Sequence, residues 1–189
     1  MKGFLREFLA ILVLATAIFF LTQATVHRAE VKGSSMESNL HNGQILLISR
    51  VVYNFHEPER GDIIVFNPPT TVGSDYDYIK RIIGLPGEAV EIKEGIVYIH
   101  KPDGSVFALD ELNYIDAPPR RPFRSDIMPA DNYFVLGDNR NNSNDSRAGW
   151  TVPREDIVGK AWLSTWPPVE WGLAPNYSPI LTAAETMSK

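Results

Sequence analysis

Three polar segments carry the side chains of this chain that could do chemistry. Gly33–Leu40 (GSSMESNL) offers the hydroxyls of Ser34, Ser35 and Ser38, poor nucleophiles until a base takes their proton. Tyr78–Gly87 (YIKRIIGLPG) sets Lys80 and Arg81 in an otherwise apolar run. On strict alternation Lys80 shares a face with Tyr78 and Ile82, and Arg81 with Ile79 and Ile83. A Lys amine held among such neighbours loses preference for its charged form and can serve as a base. Gly137–Arg147 (GDNRNNSNDSR) is a long run of Asp, Asn, Ser and Arg directly after the apolar stretch Tyr133–Leu136. Each segment also has a plain structural reading: a polar linker, an edge strand bearing charges against mispairing, and a hydrogen-bonded turn.

Other chemistries have less footing. There is no cysteine, so thiol nucleophiles, Cys-based zinc sites and disulfides are excluded. His27, His41, His56 and His100 are scattered, and Pro58 would break the helix that a His-Glu-x-x-His site requires. No metal site and no cofactor is expected. Gly-rich phosphate loops and the Ser-x-x-Lys signature do not occur, and Gly33-Ser34-Ser35-Met36-Glu37 lacks the last Gly of a nucleophile elbow. With a net charge of −5, bulk electrostatics give no footing for nucleic acid as a partner.

The elements that must position these segments are β. Apolar runs of about strand length lie at 44–53, 62–66, 78–84, 89–92, 95–100, 133–136 and 157–165, bounded by turn residues. Glu94-Gly95 between two of them reads as a hairpin turn. The expected fold is mainly β, a barrel-like or sandwich-like body. The stretches 67–76 and 112–132 read as loops, the second carrying Arg120, Arg121 and Arg124 on a solvated surface. Trp162, Trp166 and Trp171 are open between core packing and a lipid interface. Ahead of the β body, Phe8–Val26 is an uncharged run of 19 residues. As a helix it would be ~28 Å long against a hydrocarbon core of ~30 Å, so an uncleaved transmembrane anchor is expected. Lys and Arg are nearly balanced across its two ends, which leaves orientation open.

The three polar segments, in this order and with the flanking Arg60-Gly61-Asp62-Ile63-Ile64-Val65-Phe66, resemble type I signal peptidase from the anchor to about Pro167. That family comprises membrane-anchored serine proteases that remove signal peptides from exported preproteins. The resemblance implies a β body around a shallow groove. It places the nucleophile on Ser35, the general base on Lys80 and a supporting hydroxyl for the Lys amine on Ser143. Structural acidic and basic residues at the site fall on Arg81, Asp138, Asp145 and Arg147, and the oxyanion is expected on backbone N–H groups near Gly33, Ser34 and Ser35. A Lys pKa brought down to ~7.5 would cost about 4 kcal/mol of preference for the charged form.

The implied organisation is a cytoplasmic N-terminus at 1–7, an anchor at 8–26, an extracytoplasmic catalytic domain at 27–171 and a weakly ordered tail at 172–189. The implied partners are signal peptides and the lipid bilayer, at a plasma membrane crossed once. Ser38 and Asn39 stand where the family usually has Pro-Thr, which removes a fixed φ from the nucleophile turn, and Asn141 stands where Asp is frequent. These departures keep an inactive, tethered binding homologue as the alternative, beside a peptidase dedicated to one exported substrate.

Overall fold

In the computed structural model, which describes residues 2–74 and 76–184, one helix leads into two antiparallel sheets. The helix α1 spans Lys2–Thr25. Strands follow in chain order: β1 Val26–Glu30, β2 Ile45–Ser49, β3 Ile63–Phe66, β4 Tyr78–Gly84, β5 Ala89–Lys93, β6 Ile96–His100 and β7 Val106–Leu109. The rest are β8 Phe123–Arg124, β9 Asn132–Leu136, β10 Val152–Pro153, β11 Ile157–Trp166, β12 Gly172–Leu173 and β13 Leu181–Ala183. The larger sheet runs β1-β2-β11-β3-β4-β9-β10, with β12 added to β11, and the smaller runs β13-β7-β6-β5-β8.

Both sheets follow from side-chain patterning. Ile63 and Val65 enter one apolar cluster with Met36, Leu40, Leu46 and Ile48, while Ile64 and Phe66 enter another with Tyr53, Ile82 and Val135. β3 is therefore covered on both faces, which is why its sequence is an unbroken apolar run rather than an alternating one. The smaller sheet alternates as a one-sided sheet should: Val90, Ile92, Val97 and Ile99 are buried against Phe134 and Leu136, while Glu91 and Tyr98 are half-buried on the other face. The β5–β6 turn is the expected hairpin, with Glu94 at φ 54 and Gly95 at φ 81, the doubly positive pair that suits the twist of the strands it joins.

The β body is as expected; the membrane anchor is corrected. Among the described residues no helix is long and apolar enough to cross a membrane. This finding overturns the transmembrane helix expected at 8–26, and with it the single-pass plasma-membrane placement. The chain also turns from helix to strand one residue early: Val26, read as the end of the anchor, begins β1 and pairs with Ser49 of β2.

Two further differences bear on the site. β4 is an interior strand between β3 and β9, not an edge, so its two charged residues are enclosed by the sheet. The stretch from Gly172, expected to be weakly ordered, supplies β12 to the larger sheet and β13 to the smaller. Trp162, Trp166 and Trp171 are exposed rather than packed in the core.

Candidate active site

Ser35 sits at the start of a tight turn after β1. The Asn39 and Leu40 N–H groups both return to the Met36 carbonyl, and the buried side chains of Met36 and Leu40 pin the turn to the core. Lys80 arrives from the middle of β4, its side chain 5% exposed. Its Nζ lies 2.7 Å from Ser35 Oγ and donates to the Ile79 carbonyl at 2.9 Å. Burial pushes the Lys80 amine down to about 8, against an opposing pull from the carboxylates of Asp145 and Asp138. Desolvation wins because the ammonium is stripped of water while, among the described residues, no carboxylate makes a direct ion pair with it.

Arg81, the next residue on β4, faces the other way and is fully buried. Its Nε and Nη2 donate to the two Asp138 oxygens at 2.8 and 2.6 Å, and its Nη1 donates to the Gly61 carbonyl at 2.8 Å. Asp145 accepts from Arg147 through both oxygens, at 2.7 and 2.8 Å, and from the Gly137 N–H at 3.1 Å. The Arg81–Asp138 pair holds the 137–147 loop against the strand that carries Lys80, and the Asp145 bonds fix the loop's own turn. The loop in turn grips the Ser35 turn: the Asn139 N–H donates to the Ser35 carbonyl at 3.0 Å, and Asn139 Nδ2 to the Ser34 carbonyl at 3.1 Å.

Other expected site residues are placed differently. Ser143 Oγ is buried and has no hydrogen-bond partner among the described residues, so here it does not hold the Lys80 amine. It lies beside the pair nonetheless: a Cβ on Gly137 would stand 2.4 Å from both Ser143 Oγ and the Ser35 carbonyl oxygen. The Gly33 N–H is taken by Asn42 Oδ1 at 2.7 Å. The Ser35 N–H has no partner among the described residues and faces no competitor for a developing oxyanion.

Residues that sequence reading passed over are Asn139, Asn42, Glu111 and Arg140. The last two form a buried ion pair under the loop, completed by Tyr114, whose hydroxyl donates to Glu111 at 2.8 Å. The two departures in the Ser35 turn are both anchored. Asn39 Nδ2 donates to Asp138 at 2.8 Å and to the Tyr114 carbonyl at 2.6 Å, and the Ser38 hydroxyl donates to Asp116 at 2.9 Å. Side-chain tethers stand here in place of a proline's fixed φ. Their only sequence signal was polarity at turn positions.

Beside Ser35 and Lys80 a cleft of about 250 Å³ opens between Glu30–Lys32 on one wall and Tyr76–Ile79 on the other, with Met36 in its lining. A half-buried hydroxyl bonded to a buried amine, beside an open, partly apolar cleft, is suited to acyl transfer from an extended chain.

Comparison with known proteins gives one consistent answer. Residues 4–166 match the family model described as signal peptidase, peptidase S26. A probable signal peptidase I-2 of Synechocystis sp. is 44% identical over 146 residues, 76% of this chain and 64% of that protein's own length. A probable signal peptidase I-1 of the same organism is 38% identical over 175 residues, covering 89% of this chain and 86% of the relative. Signal peptidase IB of Staphylococcus aureus is 30% identical over 181 residues, covering 88% and 91%.

Proposed function

The chain belongs to the peptidase S26 signal peptidase family, a family of serine-peptidase enzymes, and from that premise we propose that it hydrolyses signal peptides from exported preproteins, with Ser35 as nucleophile and Lys80 as general base. The observation that carries the proposal is the 2.7 Å approach of Lys80 Nζ, a buried amine, to the half-buried Ser35 Oγ.

A lysine with its ordinary pKa is neutral in about 1 molecule in 3,000 at pH 7, and one with a pKa near 8 in about 1 in 10. Neutral Lys80 takes the Ser35 proton as Oγ attacks the scissile carbonyl carbon. The oxyanion that forms accepts from the Ser35 N–H. Collapse of the intermediate breaks the C–N bond, and the Lys80 proton leaves with the amine of the mature protein. Lys80 then takes a proton from water, the hydroxide attacks the Ser35 ester, and the proton returns to Ser35 Oγ. Small side chains at the first and third positions before the cut fit a cleft of this size, lined by Val31, Met36 and Ile79. Arg81, Asp138, Asp145 and Arg147 serve by fixing the loop and strand on which the pair sits.

The test is incubation of the purified chain with a preprotein carrying a small-x-small site. Wild type cleaves after the second small residue, and Ser35→Ala does not. Ser34→Ala keeps its backbone N–H and still cleaves; loss in Ser34→Ala with retention in Ser35→Ala would move the nucleophile to Ser34. The rate should fall about tenfold per pH unit below a limb near pH 8, because protonated Lys80 cannot accept the Ser35 proton. A rate that is flat down to pH 5 would exclude Lys80 as the base.

Gly137→Ala reports on geometry alone. Its Cβ would force Ser143 Oγ or the Ser35 carbonyl back by more than half an ångström from a 2.4 Å clash. Displacement on that scale at a nucleophile costs on the order of 10²-fold in rate, read as kcat with KM little altered. Wild-type kcat in Gly137→Ala would show that the loop does not set the Ser35 position.

A further inference from the structure

Behind β4, on the side away from Lys80, the chain returns after β11 and lies across the site's support. Ala174 is buried in the cluster that holds Met36 and Leu40. The Pro175 carbonyl accepts from Arg81 Nη1 at 2.9 Å. Asn176 is bonded at both ends of its amide: Oδ1 accepts from the Ile63 N–H at 2.7 Å, and Nδ2 donates to the Ala161 carbonyl at 2.8 Å. Tyr177 stacks on Tyr114 with ring centroids 5.7 Å apart and planes 18° apart, and the Arg81 guanidinium lies 5.3 Å from the Tyr177 ring centroid and 4.5 Å from that of Tyr114. The approach is close enough to require glycine at Gly61, where a Cβ would stand 1.5 Å from the Tyr177 carbonyl oxygen. Either side of this contact the segment is pinned by pairing, β12 to the larger sheet and β13 to the smaller. All of it lies beyond residue 166, where the family match ends.

We propose that residues 172–184 form a strap that positions the catalytic lysine from behind, with Tyr177 acting through Arg81 and Asn176 through Ile63 on β3, the register partner of Arg81, as positioning residues. The strap closes the back of β4, so that Arg81 stays on Asp138 and water does not reach the strand from that side. This rests on the reading of Lys80 as base.

On the cleft side Lys80 is faced by Ser35, by Tyr78 at 5.2 Å from the ring centroid, and by the carboxylates of Asp138 and Asp145. Arg147 neutralises Asp145, and Glu30, Lys32 and Asp77 stand on the rim of the cleft. None of these groups is on the strap, so a change confined to the strap reaches Lys80 through what the strap touches: Arg81 and with it Asp138, Tyr114, and the cluster of Met36 and Leu40.

The experiment compares the full-length chain with Tyr177→Ala, Tyr177→Leu, Tyr177→Phe and Asn176→Ala. Two readouts are taken: the titration midpoint of the Lys80 amine by NMR of labelled lysine, and the acid limb of kcat/KM. Tyr177→Ala and Asn176→Ala should move both upward by about one pH unit, toward the ordinary lysine value, because water gains access to the back of the strand. At pH 7 that is about a tenfold loss in kcat/KM with KM little changed. Tyr177→Phe keeps the stacked ring and keeps the wild-type midpoint. Tyr177→Leu, similar in bulk without the aromatic face, carries the test if the Ala variant does not fold. A lowered melting temperature with an unmoved midpoint would make the strap structural only and overturn the proposal. If wild type does not cleave the preprotein, the functional reading fails, while the Lys80 titration still decides the strap.

Discussion

Lys80→Met should abolish cleavage and, at pH 7, stabilise the fold. The loss of activity follows from removing the only base within reach of Ser35 Oγ among the described residues, and is expected to be at least about 10³-fold in kcat. The gain in stability follows from the sign of the lysine's shift. Lys80 titrates at about 8 in the folded chain against 10.5 when exposed, so between those values the unfolded chain binds more protons and stability rises with pH. Below pH 8 both states are protonated, and the cost of burying the ammonium is present in full. It disappears as pH rises toward 10.5. A shift of that size corresponds to about 3 kcal/mol as an upper bound, and Met fills a similar volume without charge. Urea unfolding at pH 7 and pH 10 reads it out: the variant should exceed wild type at pH 7 by more than at pH 10. A variant less stable than wild type at pH 7 would show that Lys80 carries no burial cost.

Asp138→Ala should destabilise the fold by about 3–5 kcal/mol. Arg81 and Asp138 are both fully buried, joined by two hydrogen bonds of 2.6 and 2.8 Å. Removing the carboxylate leaves the guanidinium enclosed, with only the Gly61 and Pro175 carbonyls among the described residues to accept from it. The same change frees Asn39 from Asp138 and so loosens the Ser35 turn, which should lower kcat beyond what the stability loss explains. The double variant Arg81→Met with Asp138→Leu should recover much of the stability, because the cost lies in the unpaired charge and not in the missing bond. Chemical denaturation of the two single variants and the double variant measures this. A loss under 1 kcal/mol in Asp138→Ala would mean that the pair is hydrated in solution.

Some of the site was legible before any fold was known. The β body followed from runs of strand length between turn residues, and Gly95 marked its hairpin because glycine takes the positive φ such a turn needs. Other parts had no signal to read. β8, β10 and β12 are two residues long, too short for alternation to show. The anchor expected at 8–26 rested on an uncharged composition and on a helical length of ~28 Å. Composition measures how apolar a stretch is, and no helix among the described residues meets the length and apolarity that spanning needs.

What the sequence by itself determined is which groups are available: a serine in a polar turn, a lysine and an arginine side by side in an apolar run, and a loop of Asp, Asn and Ser after an apolar strand. A period of two also requires Lys80 and Arg81 to face opposite ways. Only the tertiary structure decided what lies on each side. β3 and β9 flank β4 and bury both residues, which turns one into a lysine at about 8 and the other into half of an enclosed ion pair. The structure also decided that Asn39 and Ser38 tie down the turn and that the chain after β11 packs onto Arg81. Side-chain partners 75 or more residues apart in the chain leave no local pattern, because each residue's own neighbours in sequence are indifferent to the contact.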